Sequence, residues 1–455
     1  MSSSKIYCTR AFDHVQLLDN GEMTPCCPPW VNHYSLGNIN KQSYKEIWNG
    51  KKAKEFRESI LDGSYKYCNS KSCPHLKAQT HCVGTIDELK KRNVGGSILD
   101  DIINGKTELN HGPHEVQFCY DRSCNLSCPS CRREIIMVSG KEQQKLLDMQ
   151  NKLQADFLLN AEVLVVTGSG DAFASPVFRK FLQTLTSEQA PKLRHINILT
   201  NGLLLKRYWA TLSDYSREKI QYISVSIDAA TPETYAVNRR GGDWVLLQEN
   251  LEFIKELRKN GQIKGFQSSI VVQDNNYKEL LNFILMSEMY KVDSVQLQII
   301  EPDFIRDLGY GDYLNEWLAK AVHEKTHPNH GELLSILKDD FFKIYIERYN
   351  GQAPTGTAVA MGLLNDLRCG LDISQYDQLK IEEQKQQEEN KRNLKDVWYE
   401  GQTYFIDSKD LKHVNGTDVA LILPQKVVMW DKNRKEWIEC QKDTLEFRKY
   451  FKLIV

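Results

Sequence analysis

The chain has 455 residues, 41% hydrophobic and 26% charged, an ordinary globular composition long enough for about three domains. Its 59 Lys and Arg nearly balance 60 Asp and Glu, so no net field recommends a nucleic-acid or membrane partner. No apolar run reaches the roughly 20 residues of a membrane span, and MSSSKIYCTRAF lacks a signal peptide's apolar core; both point to the cytoplasm, where clustered cysteines read as metal ligands or catalytic groups rather than disulfides.

The 12 cysteines are unevenly placed. The N-terminal stretch CTRAFDHVQLLDNGEMTPCCPPW sets Cys8, Gly21 and Cys26 in a C-x12-G-x4-C spacing, and Cys27, Cys68, Cys73 and Cys82 follow. Residues 1–95 are expected to form one cysteine-bearing domain. From the residues alone this set reads as metal ligands, and zinc with His75 or His81 joining some of the thiols is one reading.

Residues 110–310 carry a different rhythm. EVQFCY (115–120), EVLVVT (162–167), HINILT (195–200), YISVSI (222–227), FQSSIVV (266–272) and SVQLQII (294–300) read as strands. Amphipathic stretches such as KEQQKLLDMQNKLQADFLL and VLLQENLEFIKELRKNG separate them. Strands alternating with helices predict a parallel sheet of β-α units. Six units fit an open (β/α)6 partial TIM-like barrel better than a closed eight-stranded one; a doubly wound sheet is the alternative.

A polar motif follows each of these strands. CNLSCPSC (124–131) follows the first, GSGD (168–171) the second, Asn201-Gly202 the third, Asp228 the fourth, QDNN (273–276) the fifth and Glu301-Pro302 the sixth. Loops at the carboxyl ends of barrel strands build active sites. Taken singly, any of these residues is equally explained as a turn former. Cys124, Cys128 and Cys131 supply three thiols with no fourth nearby. A cubane cluster normally takes four thiolates, so three leave one iron open. Zinc completed by Cys119 is the alternative, although Cys119 lies in an apolar strand and suits a small buried hydrophobe.

Residues 311–455 are expected to form a C-terminal α+β extension. FIRDLGYGDYLNEWLAKAVHEKTH looks helical with loops, and IEEQKQQEENKRNLKD (381–396) reads as a solvated helix or linker. QTYFID, VALIL and KVVMW read as short strands. Cys369 and Cys440 are expected to be unligated.

The C-x3-C-x2-C stretch, with GSGD, LTNG and VSIDAATPETYAVNRRGG behind it, resembles the radical S-adenosylmethionine (radical SAM) superfamily over residues 113–302. The last of these stretches is similar to members that carry SPASM or twitch domains. The N-terminal C-x12-G-x4-C, LGNINKQSYKEIWNGKKAKEFRESI and YCNSKSCP are similar to that SPASM/twitch module, here placed ahead of the barrel rather than behind it. The resemblance implies a [4Fe–4S] cluster on Cys124, Cys128 and Cys131, with its open iron chelated by SAM. It implies reductive cleavage of SAM to a 5′-deoxyadenosyl radical, which takes a hydrogen atom from the substrate. Gly168, Ser169, Gly170 and Asp171 would then contact SAM, with Asp171 accepting from its ammonium. Asn201 would bond the ribose, Ser226 and Asp228 would line the rim, and Arg239 or Arg240 would pair with the SAM carboxylate. Ser130 stands where relatives often have an aromatic residue, so adenine is expected to pack near Val272.

A second [4Fe–4S] cluster is expected on Cys8, Cys26, Cys68 and Cys73, with Cys27 and Cys82 as substitutes. Glu301 and Asp303 are the only candidates, by position, for a catalytic acid or base. The expected substrate is a peptide undergoing oxidative modification or cross-linking. A sugar, aminocyclitol or similar small metabolite is the alternative, favoured by the single auxiliary cluster and by the lack of a legible leader-binding module ahead of the barrel. A non-catalytic electron-transfer protein is a third reading. A flavodoxin- or ferredoxin-type protein is the expected electron donor.

Overall fold

A computed structural model describes residues 5–300 except 71 and 93, residue 313, residues 316–338 and the backbone of five strands between 394 and 440. The chain divides into two compact units, residues 1–367 and 368–455.

In the first unit β1 (Tyr7–Cys8), β2 (His14–Leu18), β3 (Glu22–Thr24), β4 (Gly37–Asn38) and β5 (Val83–Gly84) belong to the N-terminal part. The six expected core strands all form: β6 (Glu115–Cys119), β7 (Val163–Val166), β8 (His195–Thr200), β9 (Ile220–Ser226), β10 (Gly265–Val272) and β11 (Ser294–Ile299). They lie side by side in chain order from β6 to β11, every pair parallel. That order never reverses, so the doubly wound alternative, which requires a switch point, is not the one adopted. Long connections carry the helices Gly140–Asp156, Pro176–Thr184, Trp244–Lys259 and Leu280–Met289.

Burial alternates strictly along β7 and β8 and in part along the other core strands. Val116, Phe118, Leu164, Val166, Ile196, Ile198, Val225, Phe266, Ile270 and Leu297 are buried. Phe118 packs edge-on against Phe181 of the helix Pro176–Thr184 at 5.0 Å, so this is the helix-covered face. Each such side chain contributes about 1.5–3 kcal/mol by leaving water. On the other face polar side chains link β9, β10 and β11. Ser224 Oγ donates to Gln267 Oε1 at 2.9 Å, Gln267 Nε2 to Ser294 Oγ at 3.1 Å, and Ser269 Oγ to Ser226 Oγ at 3.3 Å. From β9 to β11 this face is a hydrogen-bonding surface.

The sequence did not foretell how the N-terminal segment joins the core. β2 pairs with β6 in parallel, from His14 opposite Glu115 to Leu18 opposite Cys119, and β3 and β4 continue the same sheet to nine strands. Gly21 turns β2 into β3 with φ +86°, and a Cβ there would meet Asn40 Nδ2 at 2.4 Å. The glycine of C-x12-G-x4-C is thus a hairpin requirement. β1 pairs separately with β5.

The second unit contains β12 (Leu394–Tyr399) paired with β13 (Gln402–Asp407), and a three-stranded meander of β14 (Thr417–Ile422), β15 (Val427–Asp431) and β16 (Glu436–Cys440). The three expected tail strands form. The charged run 381–396 is corrected at its end: residues 394–396 open β12, which pairs with β13 over its whole length. Among the described residues no helix is long and apolar enough to cross a membrane.

Candidate active site and a second thiol cavity

The loop after β6 is held by the chain on both sides. Asp121 is fully buried and accepts from Ser123 N at 2.8 Å and from Ser175 Oγ. Cys124 N donates to Ile136 O at 2.8 Å, closing the loop, and Cys131 N and Arg132 N both donate to Cys128 O at 2.9 Å. The three thiols are free, Cys124 and Cys128 buried and Cys131 half-buried.

Each thiol has its own N–H donor. Asn201 Nδ2 lies 3.7 Å from Cys124 Sγ, Arg239 Nη1 lies 3.7 Å from Cys128 Sγ, and Arg132 Nη2 lies 3.4 Å from Cys131 Sγ. Each donor is anchored by a strand-end motif. Asn201 N donates to Asp171 Oδ2 at 2.7 Å, Arg239 Nη2 sits 2.8 Å from Asp228 Oδ2, and Arg132 Nη2 donates to Ser169 O at 2.7 Å. Donors to ligating sulfur orient the ligands and tune a cluster's potential. Burial pushes the Cys124 thiol up to about 12; burial also raises Cys128, against the pull of the Arg239 guanidinium. Cys124 and Cys128 are therefore protonated without metal, and their ligation releases protons.

The glycines of GSGD are packing requirements. A Cβ on Gly170 would stand 2.5 Å from Asp121 O and 2.6 Å from Ser123 O; one on Gly168 would stand 2.3 Å from Cys119 Sγ. Asp171 is 1% exposed. Its Oδ1 accepts from Phe173 N at 3.0 Å and Ala174 N at 2.9 Å, and its Oδ2 from Thr200 Oγ1 and Asn201 N, each at 2.7 Å. Four protein donors thus occupy the carboxylate, which ties the loops after β7 and β8 together. Asp228, at φ +60°, accepts from Val271 N at 2.7 Å as well as pairing with Arg239. Arg240 Nε donates to Ser127 Oγ at 3.1 Å and its Nη2 to Arg133 O at 2.9 Å. Both arginines grip the cysteine loop. Ser226 faces Ser269 across β9 and β10; alternation puts Val271, not the fully buried Val272, on that face. Glu301, Asp303 and Cys369 lie outside the described residues.

A second thiol site lies in the N-terminal part. Cys8, Cys26, Cys68 and Cys73 line one small cavity, with Arg10, Trp30, Phe56, Tyr65 and His75 among its walls. Burial pushes the Cys26 and Cys68 thiols up to about 12. Cys82 shares a hydrogen bond with Cys8 that holds Cys82 low and Cys8 high, so it stands next to a cavity thiol. Cys27 is outside the cavity lining and lies near Cys119. Four thiols spread around a void suit a polynuclear cluster. Among the described residues no three His, Cys, Asp or Glu side chains converge tightly enough to grip a single metal ion.

Cysteine spacing did not point to three side chains that touch or brace the thiol sites. Arg132 is adjacent to Cys131, and its position just after the last thiol was an available signal. Asp121 lies three residues before Cys124, in an ordinary turn composition. Arg10 lies two residues after Cys8, and only the folded structure brings it to Cys26, where its Nε donates to Cys26 Sγ at 3.4 Å.

Residues 8–74 match the SPASM iron–sulfur cluster-binding domain, and residues 121–286 match the Radical SAM superfamily. The chain is 28% identical over 184 residues to GTP 3′,8-cyclase of Alkaliphilus metalliredigens (strain QYMF), covering 39% of this chain and 52% of that one. It is 23% identical over 204 residues to the FeMo cofactor biosynthesis protein NifB of Azotobacter vinelandii, covering 40% and 39%. The chain thus spans about half or less of the length of these curated relatives. Streptococcus suis SuiB bound to precursor peptide SuiA is similar at a TM-score of 0.36 and 12% identity, covering 75% of this chain and 70% of that one, too remote a likeness to set topology or substrate.

Proposed function

From a chain that is a radical SAM superfamily enzyme with an N-terminal SPASM iron–sulfur domain, we propose that it abstracts a hydrogen atom from its substrate to begin an oxidative modification or cross-link in a peptide. Cys124, Cys128 and Cys131 would hold a [4Fe–4S] cluster, and Cys8, Cys26, Cys68 and Cys73 one auxiliary cluster. When bound, the first cluster and SAM supply the 5′-deoxyadenosyl radical; the difficult chemistry belongs to the cofactors. The protein's own work is orientation. The observation that carries this reading is the set of three thiols, each met by a separate N–H donor from Asn201, Arg239 or Arg132, with no fourth thiol in the set among the described residues.

Gly168 and Gly170 let the backbone around Ser169 approach the cysteine loop, and Asp171 braces Asn201 there. Asp228 fixes Arg239. In this reading Asn201, Ser226, Arg239 and Arg240 contact SAM from the strand ends. A peptide substrate is supported by the SPASM domain, which many peptide maturases carry. The polar inner face between β9 and β11 favours a second reading. Its hydroxyls and carboxamides complement a neutral polyol, so oxidation of a sugar or aminocyclitol is the alternative. A flavodoxin- or ferredoxin-type cytoplasmic donor would supply the electron.

The test is anaerobic reconstitution of the full chain, followed by SAM and a reductant. Formation of 5′-deoxyadenosine supports the reading, and its absence with all clusters loaded would leave an electron-transfer protein. Transfer of deuterium into 5′-deoxyadenosine from labelled peptides or from labelled polyols separates the two substrate classes.

A further inference from the structure

We propose that Arg10 is a positioning residue of the auxiliary cluster that biases it toward its reduced state, with Glu115 setting the size of that bias. This rests on the auxiliary-cluster reading given above.

Arg10 opens the short helix Arg10–Asp13 just after Cys8. Its side chain is 11% exposed and lines the four-thiol cavity. Nε donates to Cys26 Sγ at 3.4 Å, and Nη1 reaches Glu115 Oε1 at 3.3 Å. Cys26 is itself 6% exposed. Burial drives its thiol up and the guanidinium pulls against that rise. The one cation therefore touches both a predicted ligand sulfur and the first residue of the core strand β6.

Every electron added makes a thiolate-bound cluster more negative. A hydrogen bond to a ligating sulfur and a fixed cation beside it both favour the reduced form, and they act strongly where water is excluded. Arginine does not deprotonate in proteins, so the bias persists at all working pH. Glu115 opposes it by neutralising part of the guanidinium charge. His14 Nε2 lies 3.5 Å from the same Glu115 oxygen. Burial keeps that ring neutral, with a pKa lowered to about 3, so it offers Glu115 no competing charge. The exchange is of one electron at the cluster, and Arg10 undergoes no change of bond or proton.

The experiment is a mediated redox titration of the full chain, followed by electron paramagnetic resonance. Cys124, Cys128 and Cys131 are replaced by Ala so that only the auxiliary cluster contributes. Arg10→Gln is expected to lower the midpoint potential, Glu115→Gln to raise it, and Arg10→Lys to fall between parent and Arg10→Gln. An unmoved midpoint in Arg10→Gln with iron retained, or shifts of the same sign in Arg10→Gln and Glu115→Gln, would overturn the role of Arg10. If Arg10→Gln loses its iron, Glu115→Gln decides: a rise supports the proposal, and no change or a fall overturns it. A parent protein with no auxiliary signal would instead overturn the cluster reading itself.

Discussion

Arg239 and Asp228 form a buried ion pair, Nη2 to Oδ2 at 2.8 Å, with the carboxylate only 2% exposed. The same guanidinium reaches Cys128. The end of β9 is thereby wired to the middle cysteine of the triad. Breaking a buried pair leaves an uncompensated charge, which costs about 3–5 kcal/mol. Asp228→Asn is expected to lower stability by about that much in chemical denaturation. The double variant Asp228→Asn with Arg239→Gln should lose less than the two single losses added. Additive losses would show that the pair is not coupled.

Gly170 faces backbone carbonyls on one side, where no flexible side chain can yield. Gly170→Ala is expected to displace the loop 168–171, with an overpacking cost of about 1–3 kcal/mol. Iron at the triad and SAM affinity by equilibrium dialysis should both fall. Gly96→Ala, where an added methyl meets nothing within 4 Å, should leave both unchanged.

His14 makes stability depend on pH. Unfolded, it protonates near about 6.5. Folded, burial and then the Arg10 charge lower it to about 3. Between these values the unfolded chain binds the extra proton, so the contribution of His14 is full above the upper value and is lost as pH falls toward the lower. The stability difference between the parent and His14→Gln should shrink by up to about 1.4 kcal/mol per pH unit across that window. Denaturation curves at several pH values, taken on the two proteins side by side, check this; a difference independent of pH rejects it.

The two thiol sites should be separable. Replacing Cys8, Cys26, Cys68 and Cys73 together by Ser is expected to remove about four irons per chain and to leave the triad's cluster spectrum in place. Cys27→Ser, outside the cavity lining, should retain full iron. Loss of iron in Cys27→Ser would reassign the ligand set.

The core was legible because β-α units announce themselves. All six core strands could be read from alternating apolar residues, since one face packs on helices and the other does not. The cysteines were legible because thiols at such short spacing suit metal ligation. What escaped were long-range contacts with no local signature. Arg10 meets Cys26 and Glu115 only after folding. Asp171 looks in sequence like a ligand-facing acid, yet its bonding partners are Phe173, Ala174, Thr200 and Asn201. The strand at residues 394–399 was hidden because its first half continues a charged run, and strand pairing with 402–407 outweighed that composition.

The parallel joint between β2 and β6 has a consequence for the order in which the protein is made. His14 cannot find Glu115 until roughly a hundred more residues have left the ribosome, and parallel pairing over such a separation is slow. The N-terminal segment must wait, with its thiols exposed, for a strand that carries the start of the next domain. Cluster loading of the first site is thus expected to follow the appearance of β6, although its cysteines are synthesised first. Released chains truncated before and after residue 119 would show the difference as the onset of iron retention.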